Sequence, residues 1–177
     1  ELTKVGNGRL ILSGNSNTWS GNTDVQQGSL RVNSANALGT GSATKVQSGA
    51  TLELAGGISL AENIELWGGT LTNWSGDNTA TSPLLLKSSA FVDVEQGSLT
   101  LNPSAGNAVS VDGATSAYNS DFTLAGAGDL VVDGVLDLQD GQPTASYGDF
   151  RQIGLGVARF NDSVKVERLE STAGGTL

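Results

Sequence analysis

The sequence predicts an all-β solenoid in which short parallel strands stack into successive rungs, and three observations lead to this fold class. Polar and apolar residues alternate over patches such as Arg9–Leu12 and Thr51–Leu54, so one side of each strand faces a core. Gly, Asn, Ser and Asp separate these patches, as tight turns require. A G-x-L or G-x-x-L element also recurs, with its leucine at Leu10, Leu30, Leu52, Leu71, Leu99 and Leu130.

The spacing of this element sets the size of one rung. Its leucines are 20, 22, 19, 28 and 31 residues apart, and a turn of about 21 residues is too small to bury its own apolar face. The 177 residues therefore predict roughly eight rungs, a rod about 40 Å long at about 4.8 Å between stacked strands. Evenly spaced short strands also suit a β-sandwich, but hairpin turn signals are few. We expect inward side chains at Leu30, Leu52, Leu99 and Val166.

Two longer matches indicate that the chain descends from a repeat. The segment Asp24–Ala35 aligns with Asp93–Ala105, and Trp19–Thr23 aligns in the same order with Trp74–Thr79. Equivalent repeat positions predict a shared structural role at a corner for the two tryptophans, rather than ligand stacking. The best helical candidate, Ser34–Gly41, covers one turn and is predicted to be a corner.

The composition excludes several kinds of site. The chain has no Cys and no His, which rules out a disulfide framework, a thiolate zinc site and a Ser-His-Asp triad. A net charge of −9 and a pI near 4.2 argue against nucleic acid as a partner. No apolar run is long enough to span a membrane as a helix. The absence of a start Met and the abrupt ending suggest a piece of a longer chain.

The negative charge is concentrated in the middle third of the chain. Between Ser88 and Phe150 there are nine acidic residues and no Lys or Arg. The interpretation we favour is an exposed acidic face that maintains solubility; the alternatives are a calcium site or a surface for a basic partner. The nine acids are Asp93, Glu95, Asp112, Asp121, Asp129, Asp133, Asp137, Asp140 and Asp149.

The densest carboxylate group in this segment is Asp129, Asp133, Asp137 and Asp140. Alternation predicts that these side chains point outward, since the apolar residues between them point inward. An enzyme site would need a base beside them, yet no Lys, Arg or His lies within ten residues. Calcium would need several oxygens converging on one loop, and its loop motifs are missing. We therefore assign no catalytic, cofactor-binding or metal-ligating residue and no cofactor.

The first residues carry a resemblance to a known family. The segment LTKVGNGRLILSGNSNTWSGNTDVQQGSLRVNSANALGTG, Leu2–Gly41, resembles the passenger-associated transport repeat of bacterial autotransporters. That family combines an L-x-K-x-G-x-G-x-L-x-L-S-G segment, an N-T-Y-[ST]-G-x-T segment, a V-x-x-G-x-L-x-V strand and an A-L-G corner. Trp19 stands where the family usually has Tyr. The matching positions are Leu2, Lys4, Gly6, Gly8, Leu10, Leu12, Ser13, Gly14, Asn17, Thr18, Ser20, Gly21, Thr23, Val25, Gly28, Leu30, Val32, Ala37, Leu38 and Gly39.

The resemblance implies a right-handed parallel β-helix from a passenger domain of type V secretion. Such a passenger crosses the outer membrane of a Gram-negative bacterium through a C-terminal β-barrel of its own chain, and is displayed on the cell surface or secreted. The implied role is a non-enzymatic, rigid stalk or adhesin scaffold in virulence, whose ligand is a host or surface protein or glycan. The competing hypotheses are a fragment of a carbohydrate-active parallel β-helix enzyme and effector binding through loops such as Asn73–Pro83.

The resemblance also suggests a division of the chain. Residues 1–105 hold the rungs with passenger-type repeats, and residues 106–177 hold more irregular C-terminal rungs. The ending Phe160–Leu177 is similar to the autochaperone region near the end of a passenger. We expect residues 106–177 to be the more stable part and to template the folding of the repeats during translocation.

Overall fold

The computed structural model describes residues 1–41, 43–112, 120–139, 147–172, 174 and 176. Within these ranges the chain forms 21 short strands and turns, without any helix. It follows that the described ranges hold no helix long and apolar enough to cross a membrane. Ser34–Gly41 lies within the turns between two strands, so the predicted corner is confirmed at that position.

The strands form three sheets, and every pairing between neighbouring strands is parallel. The first sheet, in spatial order, contains β1 Leu2–Lys4, β3 Thr23–Val25, β5 Thr44–Gln47, β8 Ile64–Trp67, β11 Leu84–Leu86, β14 Asn107–Val111, β17 Val135–Asp137 and β20 Val164–Lys165. The second sheet contains β2 Arg9–Leu12, β4 Ser29–Val32, β6 Thr51–Ala55, β9 Thr70–Ser75, β12 Ala90–Val94, β15 Phe122–Gly126, β18 Phe150–Gln152 and β21 Leu169–Ser171. The third sheet contains β7 Ser59–Leu60, β10 Asn78–Ala80, β13 Ser98–Leu101, β16 Asp129–Val132 and β19 Ala158–Phe160.

The chain visits these sheets in turn, which makes it a parallel β-helix. Each rung contributes one strand to the first sheet and one to the second, and rungs 3 to 7 add a strand to the third sheet. The described residues form eight such rungs, so the fold class and the rung number that the sequence predicts are confirmed. All three sheets continue from the passenger-type repeats into the C-terminal rungs without a break, through β11–β14, β12–β15 and β13–β16.

The inward columns explain the leucine repeat. Leu10, Leu30, Leu52 and Leu71 lie in register in the second sheet and form one column of the core. Leu99 and Leu130, by contrast, lie in register in the third sheet. The repeat therefore changes sheet after Leu71, which accounts for the longer interval between Leu71 and Leu99.

Rungs lengthen in the second half of the chain. In the second sheet, Leu71 pairs in register with Val92, and Val92 pairs in turn with Leu124. The interval in sequence from Val92 to Leu124 is about one and a half times the interval from Leu71 to Val92. The next partner, Gln152, also follows Leu124 at a longer interval than the one from Leu71 to Val92. The division at residue 105 that the sequence predicts thus lies where the rungs become longer, and it stays a prediction.

The two copies of the longer repeat, Asp24–Ala35 and Asp93–Ala105, do not lie on equivalent faces of the helix. The first copy forms the corner from β3 to β4, between the first and second sheets, and the second copy forms the corner from β12 to β13, between the second and third. Gly28 and Gly97 turn these corners with φ values of 63° and 72°. A Cβ at either glycine would lie 2.6 Å from a carbonyl oxygen of the rung below. The repeat therefore encodes a local corner that can join either pair of sheets.

The core is a continuous apolar column enclosed by the three sheets. Leu30, Leu52 and Leu99 are fully buried, as the sequence predicts. Val166 packs against the core but is only partly buried, and it lies in the eighth rung, at the end of the stack that the described residues form.

Three aromatic rings fill the core of the C-terminal rungs. Phe122 and Phe150 are register partners and are fully buried, with ring centroids 5.6 Å apart in an edge-to-face arrangement. Phe160 packs on Phe150 in the same way at 5.1 Å. Such pairs contribute about 0.5–1.5 kcal/mol each beyond the area they bury.

Candidate functional site

The carboxylates singled out by the sequence do point outward, but they lie on two different sheets. Asp129 begins β16 of the third sheet and Asp133 directly follows the end of that strand, whereas Asp137 lies in β17 of the first sheet. All three side chains are half-buried. Asp140 lies outside the described residues.

Each of these three aspartates contacts the following rung. Asp129 Oδ1 accepts a hydrogen bond from the backbone N–H of Val157 at 2.9 Å, and Asp133 accepts one from the side-chain amide of Asn161. Asp137 Oδ2 pairs with Lys165 Nζ at 2.9 Å, and this hydrogen bond raises the pKa of the Lys165 ammonium. In the part of the chain that the structure describes, no group of three or more Asp, Glu, His or Cys is placed to hold a metal. These side chains therefore link rungs.

The same arrangement recurs elsewhere in the acidic middle segment, where Asp121 Oδ1 accepts a hydrogen bond from Asp149 N at 3.0 Å. Asp77, which precedes the segment, accepts one in the same way from Ser98 N at 3.0 Å. In both cases the acceptor and donor are one rung apart. Sequence reasoning missed this role. The signal is an Asp that lies one rung period before the start of a strand, and a search of the sequence at that period would detect it.

Basic residues just outside the acidic segment neutralise part of its charge. Lys87 forms an ion pair with Asp112, and Arg168 Nη1 lies 3.5 Å from Asp149 Oδ2. These partners are far apart along the chain but adjacent in space, because successive rungs stack directly. The segment that contains no Lys or Arg in sequence is thus partly compensated in the folded helix.

An aromatic and charged cluster lies on the outer face of the second sheet and spans four consecutive rungs. Glu53 is 5% exposed, and its carboxylate pairs with Arg31 Nε at 2.6 Å and with Arg9 Nη2 at 3.1 Å. Both guanidinium groups stack on Trp74, with distances of 4.1 Å for Arg31 and 4.9 Å for Arg9 to the ring centroid. The indole therefore shields a charge network on the outside of the rod.

Trp74 reaches this position through a β-bulge. Leu54 pairs with Asn73 and Ala55 pairs with Ser75, so Trp74 is the extra residue between them. It is 39% exposed. Trp19, in contrast, lies in the turn before β3, where its carbonyl accepts a hydrogen bond from Thr40 N at 2.9 Å. The two tryptophans consequently have different structural roles.

A groove of about 540 Å³ runs along the outer face of the first sheet, and we refer to it as the first-sheet groove. One wall is formed by the residues that immediately precede successive strands, Asn22, Ala43, Asn63 and Pro83. The other is formed by outward residues of successive strands, Lys45, Glu65, Leu85 and Ser110. These four are partners in register from one rung to the next.

The polar residues of the first-sheet groove are held differently. Glu65 accepts a hydrogen bond from Trp67 Nε1 at 3.1 Å, and the Lys87 ammonium lies 5.5 Å from the centroid of the Trp67 ring. Lys45, the register partner of Glu65 in the preceding rung, is half-buried. Among the described residues no carboxylate forms an ion pair with Lys45. The groove thus places the Glu65 carboxylate, an acceptor held by Trp67, next to the Lys45 ammonium group, a donor without an ion-pair partner among the described residues.

Comparison with known proteins agrees with the sequence resemblance. Residues 2–32, which contain the strands of the first two rungs, match the family model of the passenger-associated-transport-repeat. The resemblance to autotransporter passengers that the sequence predicts is therefore confirmed.

A curated relative points to the same class. The chain is 36% identical over 182 residues to the adhesin BmaC autotransporter of Brucella suis biovar 1 (strain 1330). The alignment covers 92% of this chain and 5% of that protein, so the chain spans a small part of its relative. No solved structure matches the chain significantly.

Proposed function

We propose that this chain is a non-enzymatic segment of a cell-surface or secreted autotransporter passenger and acts as a rigid β-helical scaffold for adhesion. The observation that carries the proposal is the unbroken stack of parallel rungs, which begins with a passenger-type repeat. Similarity to a protein named as an adhesin supports the adhesive role. The passenger reaches the surface through the outer-membrane β-barrel of its own parent chain, and its ligand is a host or surface protein or glycan.

The geometry supplies the rigidity that a scaffold needs. Each rung is joined to the next by parallel backbone ladders on at least two sheets and by a shared apolar core. The first and eighth rungs are about 34 Å apart at about 4.8 Å per rung. Every added rung lengthens the rod by the same increment while exposing little new apolar surface.

The non-enzymatic role is supported by what the carboxylates contact. Glycoside hydrolysis needs two carboxyl groups that face one another across the scissile bond. Asp129, Asp133 and Asp137 are instead engaged by residues of the following rung. The competing enzyme hypothesis therefore gains no support from the predicted aspartate group.

Residues 106–177 are proposed to act as a folding template for the repeats. Support comes from the stacked Phe122, Phe150 and Phe160 rings, which concentrate aromatic packing in these rungs. Because a solenoid gains stability from each rung and each interface, folding starts where those contributions are largest and then propagates.

Deletion of one rung from the parent protein on its bacterium tests the scaffold. Removing residues 23–43 joins Asn22 to Thr44 and preserves the register, because Thr23 and Thr44 are partners in the first sheet. We expect surface display and protease resistance to persist. The control, removal of residues 27–37, takes away β4 but keeps β3, so the second rung loses its strand in the second sheet alone, and it should abolish both. Equal tolerance of the two deletions would contradict the stacked scaffold.

The adhesive and non-enzymatic parts have their own tests. Removing all 177 residues from the parent protein should lower adherence to host cells while its display, measured with an antibody, is maintained. Unchanged adherence would reject the adhesive role.

The purified chain should release no reducing ends from polysaccharides, and release that disappears in an Asp129→Asn variant would establish an enzyme instead.

Limited proteolysis in partial denaturant tests the template. A protected fragment that begins near Gly106 or earlier and runs to the C-terminus is expected. A Phe150→Leu variant should lose this protection first, because it removes both edge-to-face contacts. Protection of residues 1–70 with digestion of the C-terminal rungs would reject the template role.

A further inference from the structure

We propose that the first-sheet groove binds a short, uncharged glycan that lies along the axis of the helix. The inference rests on the proposed adhesive function and names the surface and the ligand class through which this segment would serve it. Three observations support this inference: the shape of the groove, the hydrogen-bonding groups that line it, and the poorer fit of a peptide or a polyanion to the same surface.

The shape suits a chain-like ligand rather than a compact one. The groove extends from Asn22, before the second rung, to Ser110 in the sixth. Four rung spacings of about 4.8 Å make it about 19 Å long. Its volume of about 540 Å³ lies within the range of pockets that hold small ligands. Because its walls repeat with every rung, a ligand made of repeating units meets a new set of side chains at each step.

The lining matches the hydrogen-bonding capacity of sugar hydroxyls. Lys45 only donates hydrogen bonds, whereas the Glu65 carboxylate only accepts them, and the two are register partners in adjacent rungs. A pair of neighbouring hydroxyls both donates and accepts, so it satisfies the two side chains at once. Beyond them Pro83 and Leu85 form an apolar step on which the carbon face of a sugar ring packs.

An extended peptide fits this surface less well. Peptides that bind to sheets usually add a strand to a free edge, where main-chain hydrogen bonds provide the affinity. β5, β8 and β11 are interior strands of the first sheet, paired on both sides. The groove therefore presents side chains but no unpaired strand edge.

A polyanion is disfavoured by charge. The groove offers Lys45 together with the opposite charge of Glu65, and the whole chain carries a net charge of −9. A sulfated or sialylated glycan would approach against this field, particularly at low salt. An uncharged glycan has no such barrier.

The experiment presents the folded 177-residue chain to an immobilised panel of short neutral, sialylated and sulfated glycans. The double variant Lys45→Ala/Glu65→Ala removes the donor and the acceptor, and Ser110→Trp fills one end of the groove while leaving both charges in place. The matched control is Arg151→Ala/Glu170→Ala, which removes an ion pair of the second sheet, away from the groove. Circular dichroism verifies that each variant is folded.

We expect neutral glycans to be retained, with a loss of at least about tenfold in affinity for both groove variants and an unchanged affinity for the control. Retention of no neutral glycan, retention of charged glycans alone, or an equal loss in the control would overturn the proposal. The parent protein separates this failure from that of the proposed function. Adherence that survives Lys45→Ala/Glu65→Ala but is lost on deletion of the segment would reject the groove and retain the adhesive scaffold.

Discussion

Replacing Asn73 by leucine is the sharpest perturbation of the core that the structure offers. Asn73 is fully buried in an inward column of the second sheet, between Leu54 and Val94. Apolar residues fill the neighbouring positions, so hydrophobicity alone would favour leucine here. The hydrogen bonds of Asn73 lead to the opposite expectation.

The asparagine connects two strands of its own rung with the rung above. Its Nδ2 donates to the carbonyl oxygens of Gly76 at 3.0 Å and Gln96 at 2.7 Å. Its Oδ1 accepts from Asn78 Nδ2 at 2.6 Å. Asn78 in turn accepts from Ile58 N of the rung below at 2.7 Å, so this pair of side chains bridges three rungs.

The magnitude follows from the groups that leucine would leave without a partner. Asn78 Nδ2 keeps its bond to Ser75 O at 3.0 Å and a longer one to Gly76 O at 3.4 Å. The Gln96 carbonyl loses the bond that Asn73 supplied. One such group costs about 1–3 kcal/mol, and the apolar gain of leucine offsets part of this. We expect Asn73→Leu to lower the free energy of unfolding by about 2 kcal/mol.

Urea denaturation followed by far-UV circular dichroism measures this loss. The matched control is Asn102→Leu, because Asn102 is exposed and surface substitutions usually change stability by no more than about 0.5 kcal/mol. The reasoning is refuted if Asn73→Leu is as stable as the parent chain, or if Asn102→Leu loses as much.

Four further outcomes are expected. Leu99→Ala should cost about 2–5 kcal/mol, whereas Thr100→Ala on the outer side of the same strand should cost much less; equal denaturation midpoints would show that Leu99 does not face the core. Burial raises the pKa of Glu62 above its ordinary value of 4.5, against a smaller opposing effect of its hydrogen bond from Thr44. The folded chain therefore binds this proton more tightly than the unfolded chain, and the Glu62 contribution to stability falls as pH rises from 4.5 through the raised value. Glu62→Gln should consequently be more stable than the parent at pH 7 and depend less on pH, and a loss of stability at pH 7 would contradict this. Glu53→Ala leaves the 13%-exposed Arg31 side chain without its carboxylate and should destabilise the chain by about 3 kcal/mol; a double-mutant cycle with Arg31→Ala that shows no coupling would reject the pair. Calorimetric titration with calcium should give no saturable heat, because Asp129, Asp133 and Asp137 are engaged by the following rung, and a stoichiometric site of micromolar affinity would disprove this.

The sequence was sufficient to predict the strands, the parallel stacking and the rung number, because these depend on local alternation and on a regular period. Leu10, Leu30 and Leu52 are one rung apart in sequence and adjacent in the core, so their spacing reports the stacking directly. Once the rungs lengthen after Val92, spacing no longer identifies register.

The polar contacts inside the core could not be predicted, for a different reason. Asn73 and Asn78 lie where the rungs are still regular, but the sequence is rich in Asn and does not distinguish a buried asparagine from an exposed one. The same holds for the first-sheet groove, whose Lys45 and Glu65 come together through register and not through a motif.

The glycine corner has a consequence for how such chains change length. Its two copies, at Gly28 and Gly97, share sequence and the same close approach to the rung below, yet they join different pairs of sheets. Genetic recombination between them would delete the intervening residues and keep the backbone turn at the glycine and its close approach to the preceding rung. Each strand after the junction would nevertheless move to a different sheet. A strand that now belongs to the third sheet, such as β13, would take the place of β4 in the second sheet. Near-identical corners therefore allow the helix to gain or lose rungs, and at the same time to rotate the side on which its outer surfaces are displayed.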